Sequence, residues 1–152
     1  MDLKTLIIGN HRKLVCKDIR REWPPTDKLK DLPGVYVVAM RPESPKARIA
    51  RLGDVDDQGI VYIGQSGTLR SRLRTLRLGL MNEKPNSHPM SFRYARYPNI
   101  QQLLPIEDLV FRYDHCAKSG KSDDGLLLQY IEKFGEVPPL NAKWGKLEPD
   151  AD

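Results

Sequence analysis

Apolar positions along this chain fall into two kinds of run. Val35–Met40 is continuous and rich in β-branched residues, and Gly59–Gly64 reads Gly-Ile-Val-Tyr-Ile-Gly, a short apolar run with a glycine at each end. Runs of this length and composition predict strands. The Pro- and charge-rich stretch 41–58 cannot extend either one, so the two are expected to pair as a hairpin across it. Leu109–Tyr113 predicts a weaker third strand. Elsewhere the period is helical. Leu69, Leu73, Leu76 and Leu80 recur at i, i+4, i+7 and i+11, with Thr68 or Ser66 placed to cap the helix and Gly79 to stop it. Leu127, Leu128, Ile131 and Phe134 form a second stripe over 123–134, with Ser122 or Asp123 at the cap position and Gly135, Pro138 and Pro139 ending it. Residues 10–23 carry Leu14, Val15, Ile19 and Trp23 at helical spacing before Pro24–Pro25. Strand, strand, helix, strand, helix predicts a small α+β domain.

Composition narrows the class. The chain has 152 residues, enough for one domain with a core and too few for two ordinary ones. Hydrophobic residues at 39% and charged residues at 30% predict a soluble globular chain. No apolar run has the length to cross a bilayer, and the Met1 end lacks a signal-peptide stretch, so a membrane-spanning or secreted protein is not expected. Cys16 and Cys116 stand far apart, which excludes a disulfide framework and fits a cytoplasmic setting. The first 121 residues hold 22 Lys/Arg against 13 Asp/Glu, whereas residues 122–152 reverse to three against seven. A basic body suits a polyanion partner, and an ordinary basic surface accounts for the charge equally well.

Three motif-like stretches fail on their chemistry. Ser119-Gly120-Lys121-Ser122 lacks the leading glycine of a P-loop, that position being His115, and no apolar strand leads into it. Asp54, Asp56, Gln58 and Gly59 imitate the start of a calcium loop, but the twelfth position is Gln65 and not the bidentate acid required. Asp114-His115-Cys116 places a thiol beside an imidazole in sequence, and adjacent residues rarely converge on one substrate atom.

One constellation survives. At about 100° per residue, Arg70, Arg74 and Arg77 form a stripe to one side of the leucine face, a solvated surface or a phosphate track, while Arg72 falls alone on the other side, bordering the core. The strands carrying Tyr36 and Tyr62 are its obvious neighbours. Arginine offers a charged fork of donors matched to phosphate oxygens, and a tyrosine hydroxyl can donate to a phosphate or orient a water. Strand tyrosines are, however, most often packing residues with a hydrogen-bonded tip.

Gly34-Val35-Tyr36, then Tyr62-Ile63-Gly64-Gln65-Ser66, then Leu69 and Arg72-Leu73, resembles the GIY-YIG nuclease family, with Arg72 eight residues after Gly64 as in that family's pattern. Pro138-Pro139-Leu140-Asn141 also looks like the family's Pro-x-x-Asn ending. The resemblance spans about 32–143, leaving 1–31 as a basic N-terminal extension and 144–152 as an acidic tail. It implies a small three-stranded antiparallel sheet flanked by helices, and hydrolysis of nucleic-acid phosphodiesters with one divalent metal, Mg²⁺ or Mn²⁺. It implies Tyr36 as general base or water-positioning residue and Tyr62 as support for the nucleophile. Arg72 would stabilise charge on the phosphate, and Gly34, Gly64 and Asn141 would brace the site.

The chain departs from the family pattern in three places. The gap between the motifs, 41–58, is long. The histidine that many members carry four residues after the arginine is replaced by Leu76. No glutamate stands at the start of the final helix, where a metal ligand is expected: aligning Leu127-Leu128 puts Asp124 there, whereas aligning Tyr130-Ile131 puts Leu127 there. Asp124 is the expected ligand, because magnesium takes hard oxygen donors; a helix N-terminal acid answering the macrodipole is the alternative. The expected function is a metal-dependent endonuclease acting on nucleic acid, DNA before RNA. The rival readings are a degenerate module of the same fold that binds without cleaving, and a protein-interaction domain with a basic face.

Overall fold

The computed structural model describes residues 29–81, 88–115 and 122–141, the side chains of 122–124 excepted. The predicted helix over 10–23, most of the basic extension, Ser119–Lys121 and the acidic tail lie outside the described residues. The chain runs β1 (Gly34–Met40), β2 (Ile49–Ala50), β3 (Val55–Asp56), β4 (Ile60–Ser66), α1 (Leu69–Leu80), α2 (Pro89–Arg96), α3 (Pro98–Leu103), a 3₁₀ turn at Ile106–Asp108, β5 (Leu109–His115) and α4 (Ser122–Phe134). The architecture is α+β, with a three-stranded antiparallel sheet in the order β4-β1-β5 and helices flanking it.

β1 lies in the centre, so both its faces are covered and all seven residues are buried, as its unbroken apolar run requires. Tyr36, Val38 and Met40 point to one side, into a layer with Leu69, Leu73, Leu76, Met90 and Tyr94 from α1 and α2. Val35 and Val37 point to the other, where Ile60 and Ile63 meet Leu126, Leu127, Tyr130 and Phe134 of α4. The long gap 41–58 folds as a small hairpin, with β2 paired to β3. The register shifts between Val38 and Ala39, where Ala39 pairs with Ile60 and Val61 is left over as a bulge. The amide of Leu140 donates to the Val61 carbonyl at 2.9 Å, so the bulge is sealed by the loop that follows α4.

The structure corrects three expectations. Gly79 does not stop α1: it is buried inside the helix, which continues to Leu80 because that leucine packs into the core. The buried stripe of α4 is Leu126, Leu127, Tyr130 and Phe134, while Leu128 is 38% exposed and Ile131 packs only at the margin. The third strand runs two residues past Tyr113, pairing with β1 out to Gly34 opposite His115. Helices α2 and α3 carry no strong periodic signal, and the hydrophobic pattern does not predict them; each starts at a proline, the residue suited to a first helical turn.

Candidate active site

The register of β1 on β4 sets Tyr36 opposite Gly64 and Val38 opposite Tyr62, which places both tyrosines on the face covered by α1 and α2. Their rings lie 5.9 Å apart. Gly64 makes this possible, since a Cβ there would fall 2.6 Å from Tyr36 Cζ and Oη and 2.8 Å from Tyr62 Cε1. Gly34 does the same for the helix, because a Cβ would meet the Asp114 carbonyl at 2.5 Å and Leu69 Cδ2 at 2.8 Å. The start of α1 is fixed by Asp31, whose carboxylate accepts from the Ser71 amide at 3.0 Å and from its hydroxyl at 2.7 Å. These bonds hold the Asp31 carboxyl below its usual range. Thr68 sits at the cap position without a side-chain bond, and Ser66 Oγ accepts from the Thr68 amide.

α1 so placed brings Arg72 to the two hydroxyls. The Arg72 guanidinium and the Tyr62 hydroxyl both act on the Tyr36 hydroxyl. Tyr36 is fully buried, and burial pushes its phenol far up. Tyr62 keeps 8% exposure; burial raises its phenol too, but the Arg72 charge, the Tyr36 hydroxyl and the Arg93 charge all act in the opposite direction. Arg93, on α2, also donates to the Leu140 carbonyl at 2.8 Å.

Sequence reasoning missed the imidazole of this site. His88, 1% exposed, stands before Pro89 as the cap of α2, and its Nδ1 accepts from the Met90 amide at 3.1 Å. Its Nε2 lies 2.6 Å from Tyr36 Oη. Because Nδ1 accepts, the neutral ring carries its proton on Nε2 and donates it to the tyrosine. Burial, aided by the Arg72 charge, pushes the ring down to about 3, so it is neutral across the physiological range. Leu76, the position at which the resemblance leads one to expect a histidine, is 1% exposed in the apolar layer, and the imidazole that meets Tyr36 stands at the cap of α2. The one sequence signal is a histidine immediately before a helix-starting proline.

The remaining expected residues divide. Asn141 braces β4: its side-chain carbonyl accepts from the Ile63 amide and its amide donates to the Ile63 carbonyl, both at 2.9 Å, so one side chain pairs an outer strand edge that would otherwise be open. Arg70 and Arg74 are exposed along α1 and Arg77 is half-buried. The Asp124 side chain lies outside the described residues. Asp56, from the stretch resembling a calcium loop, is fully buried, and both its oxygens are taken up by Tyr130 of α4 and the amides of Gln58 and Ile60.

The described groups at the tyrosine pair are two phenols, a neutral imidazole with both nitrogens engaged, and two guanidiniums. That set suits an anion by its chemistry and does not by itself supply the several oxygen ligands a hard cation needs. Among the described residues no three His, Cys, Asp or Glu side chains come together. A metal here would need oxygen ligands from beyond the described side chains, Asp124 being the one the sequence leads one to expect. No protein-family model, curated protein or solved structure matches the chain.

Proposed function

We propose that this protein is a metal-dependent endonuclease of the GIY-YIG type that hydrolyses phosphodiester bonds in nucleic acid, DNA before RNA. The observation that carries the reading is the convergence of Tyr36, Tyr62 and Arg72, from two strands and a helix, on one spot at the edge of the core. Arg72 is the phosphate clamp, its fork matched to two non-bridging oxygens and strengthened by the low-dielectric setting. Arg93 adds positive charge beside Tyr62. The water-orienting role that the resemblance implies for Tyr36 passes to Tyr62, because Tyr36 is fully buried and Tyr62 keeps 8% exposure, and Tyr36 and His88 hold Tyr62 from behind. Exposed Arg70 and Arg74 carry the flanking strand by charge alone. A divalent ion held through Asp124 would supply further neutralisation of phosphate charge.

Supercoiled plasmid and single-stranded DNA incubated with Mg²⁺ or Mn²⁺, and in parallel with EDTA, test this reading. Metal-dependent cleavage lost in Arg72→Ala is the expected result, and its loss in Asp124→Ala assigns the ligand. The cationic and neutral make-up of the described groups favours one rival, a degenerate module that docks nucleic acid through α1. Salt-dependent binding with no cleavage in any metal would replace the nuclease by that module.

A further inference from the structure

We infer that His88 is a positioning residue for Tyr62, acting through Tyr36: it fixes the direction of the Tyr36 hydroxyl so that the Tyr36 proton is aimed at Tyr62 Oη. The inference rests on the reading of this face as a phosphodiesterase site. It starts from donor accounting. A phenol has one proton to give and oxygen lone pairs to receive. The Met90 amide occupies His88 Nδ1, so the only proton of the neutral ring is on Nε2, 2.6 Å from Tyr36 Oη. Tyr36 Oη therefore receives from His88, and its own proton must go elsewhere. The polar groups that act on it are the Tyr62 hydroxyl from β4, on a ring 5.9 Å away, and the Arg72 guanidinium from α1. A guanidinium only donates, which leaves the Tyr62 oxygen as the acceptor.

The result is an ordered chain running from the Met90 amide through His88 and Tyr36 to Tyr62. It ends at the phenol that keeps 8% exposure and on which the charges of Arg72 on α1 and Arg93 on α2 both act. A donor aimed at Tyr62 Oη favours its ionised form and holds its remaining lone pairs toward solvent, where a water would bind. The ring contacts agree with a packed cluster: His88 lies edge-on to both tyrosines, 6.2 Å from Tyr36 and 5.3 Å from Tyr62. The two ring nitrogens do separate jobs, and each can be removed alone. Asparagine replaces Nδ1 as a helix cap and does not reach Tyr36, whereas glutamine reaches Tyr36 as a donor and caps poorly.

Tyrosine labelled with ¹³C at Cζ gives one resonance for each of the six tyrosines. An alkaline titration with Tyr36→Phe and Tyr62→Phe for assignment reads their order of ionisation. The expected result is that Tyr62 ionises before Tyr36, that His88→Asn moves the Tyr62 midpoint upward by about one unit, and that His88→Gln restores it. Thermal melting should show the reverse ranking, with His88→Gln the less stable of the two. Tyr36 ionising first, or equal Tyr62 midpoints in both variants, would overturn the inference. Cleavage assays on the same proteins keep the two readings apart. A titration in the expected order with no cleavage would sink the nuclease and leave the relay, whereas cleavage with the reversed order would sink only the relay.

Discussion

Tyr36 and Tyr130 are both fully buried phenols, one on each side of the same sheet, and their partners give them opposite characters. Tyr130 donates to Asp56 at 2.9 Å, and the carboxylate, itself fully buried, also receives the Gln58 and Ile60 amides. Burial raises the Asp56 carboxyl despite these donors, and burial together with the carboxylate's charge pushes the Tyr130 phenol far up. Nothing in that pair is presented to solvent. It ties the hairpin of β2 and β3 to α4, and its chemistry ends there. Tyr36 meets a neutral imidazole instead of a carboxylate, and beyond it lie a partly accessible phenol and two cations. The same side chain is a clasp on one face and, on the other, a link to a phenol on which Arg72 and Arg93 both act, because its partner there is an imidazole and not a carboxylate.

The comparison breaks most sharply at Gly64. Gly64→Ala forces a methyl group into the space of both site tyrosines, and overpacking of this kind costs about 3 kcal/mol. Thermal melting should register it together with loss of cleavage, and a Gly64→Ala variant that kept both stability and activity would mean the rings are not fixed there. Acid is the next lever. His88 is held at about 3 in the folded chain against 6.5 when free, so the unfolded state binds the proton first as pH falls. Stability from this group is complete above about pH 6.5 and drains away toward pH 3, on the order of 4 kcal/mol over the window. Urea unfolding at pH 7 and pH 4 measures this loss, and it should shrink in His88→Asn. An equal loss in the variant would assign the acid sensitivity elsewhere.

Smaller effects sharpen the contrast. Tyr130→Phe removes one donor from a buried carboxylate and should cost about 2 kcal/mol of stability without altering cleavage. Asp31→Ala removes the exposed acceptor at the start of α1 and should cost about 1 kcal/mol, the usual worth of a helix cap. A melting curve unchanged by that substitution would deny Asp31 its part in seating Arg72.

Periodicity makes much of this molecule legible. The unbroken run of β1 requires a central strand, and the leucines of α1 place Arg72 at the core margin from sequence alone. The phase of α4 is not legible, because three consecutive leucines at 126–128 allow two faces to be drawn. The structure selects the face that includes Tyr130, whose bond to Asp56 crosses 74 positions of sequence. His88 is hidden for the same reason: its partner Tyr36 is 52 residues away, and a single histidine on a short helix gives no period to read. Local pattern encodes which face is buried, and long-range pairing decides what each buried polar group does.

On the proposed function, chemistry belongs to the face of Tyr36 and Tyr62, and the face of Tyr130 only holds the fold. Plasmid cleavage rates in Mg²⁺ for Tyr62→Phe and Tyr130→Phe, run beside the unaltered protein, test it most directly. The expected result is a loss of at least about 100-fold for Tyr62→Phe, the scale of a removed proton-transfer or water-orienting group, and a rate within about twofold of the parent for Tyr130→Phe. Equal rates in all three proteins, or a loss confined to Tyr130→Phe, would contradict it.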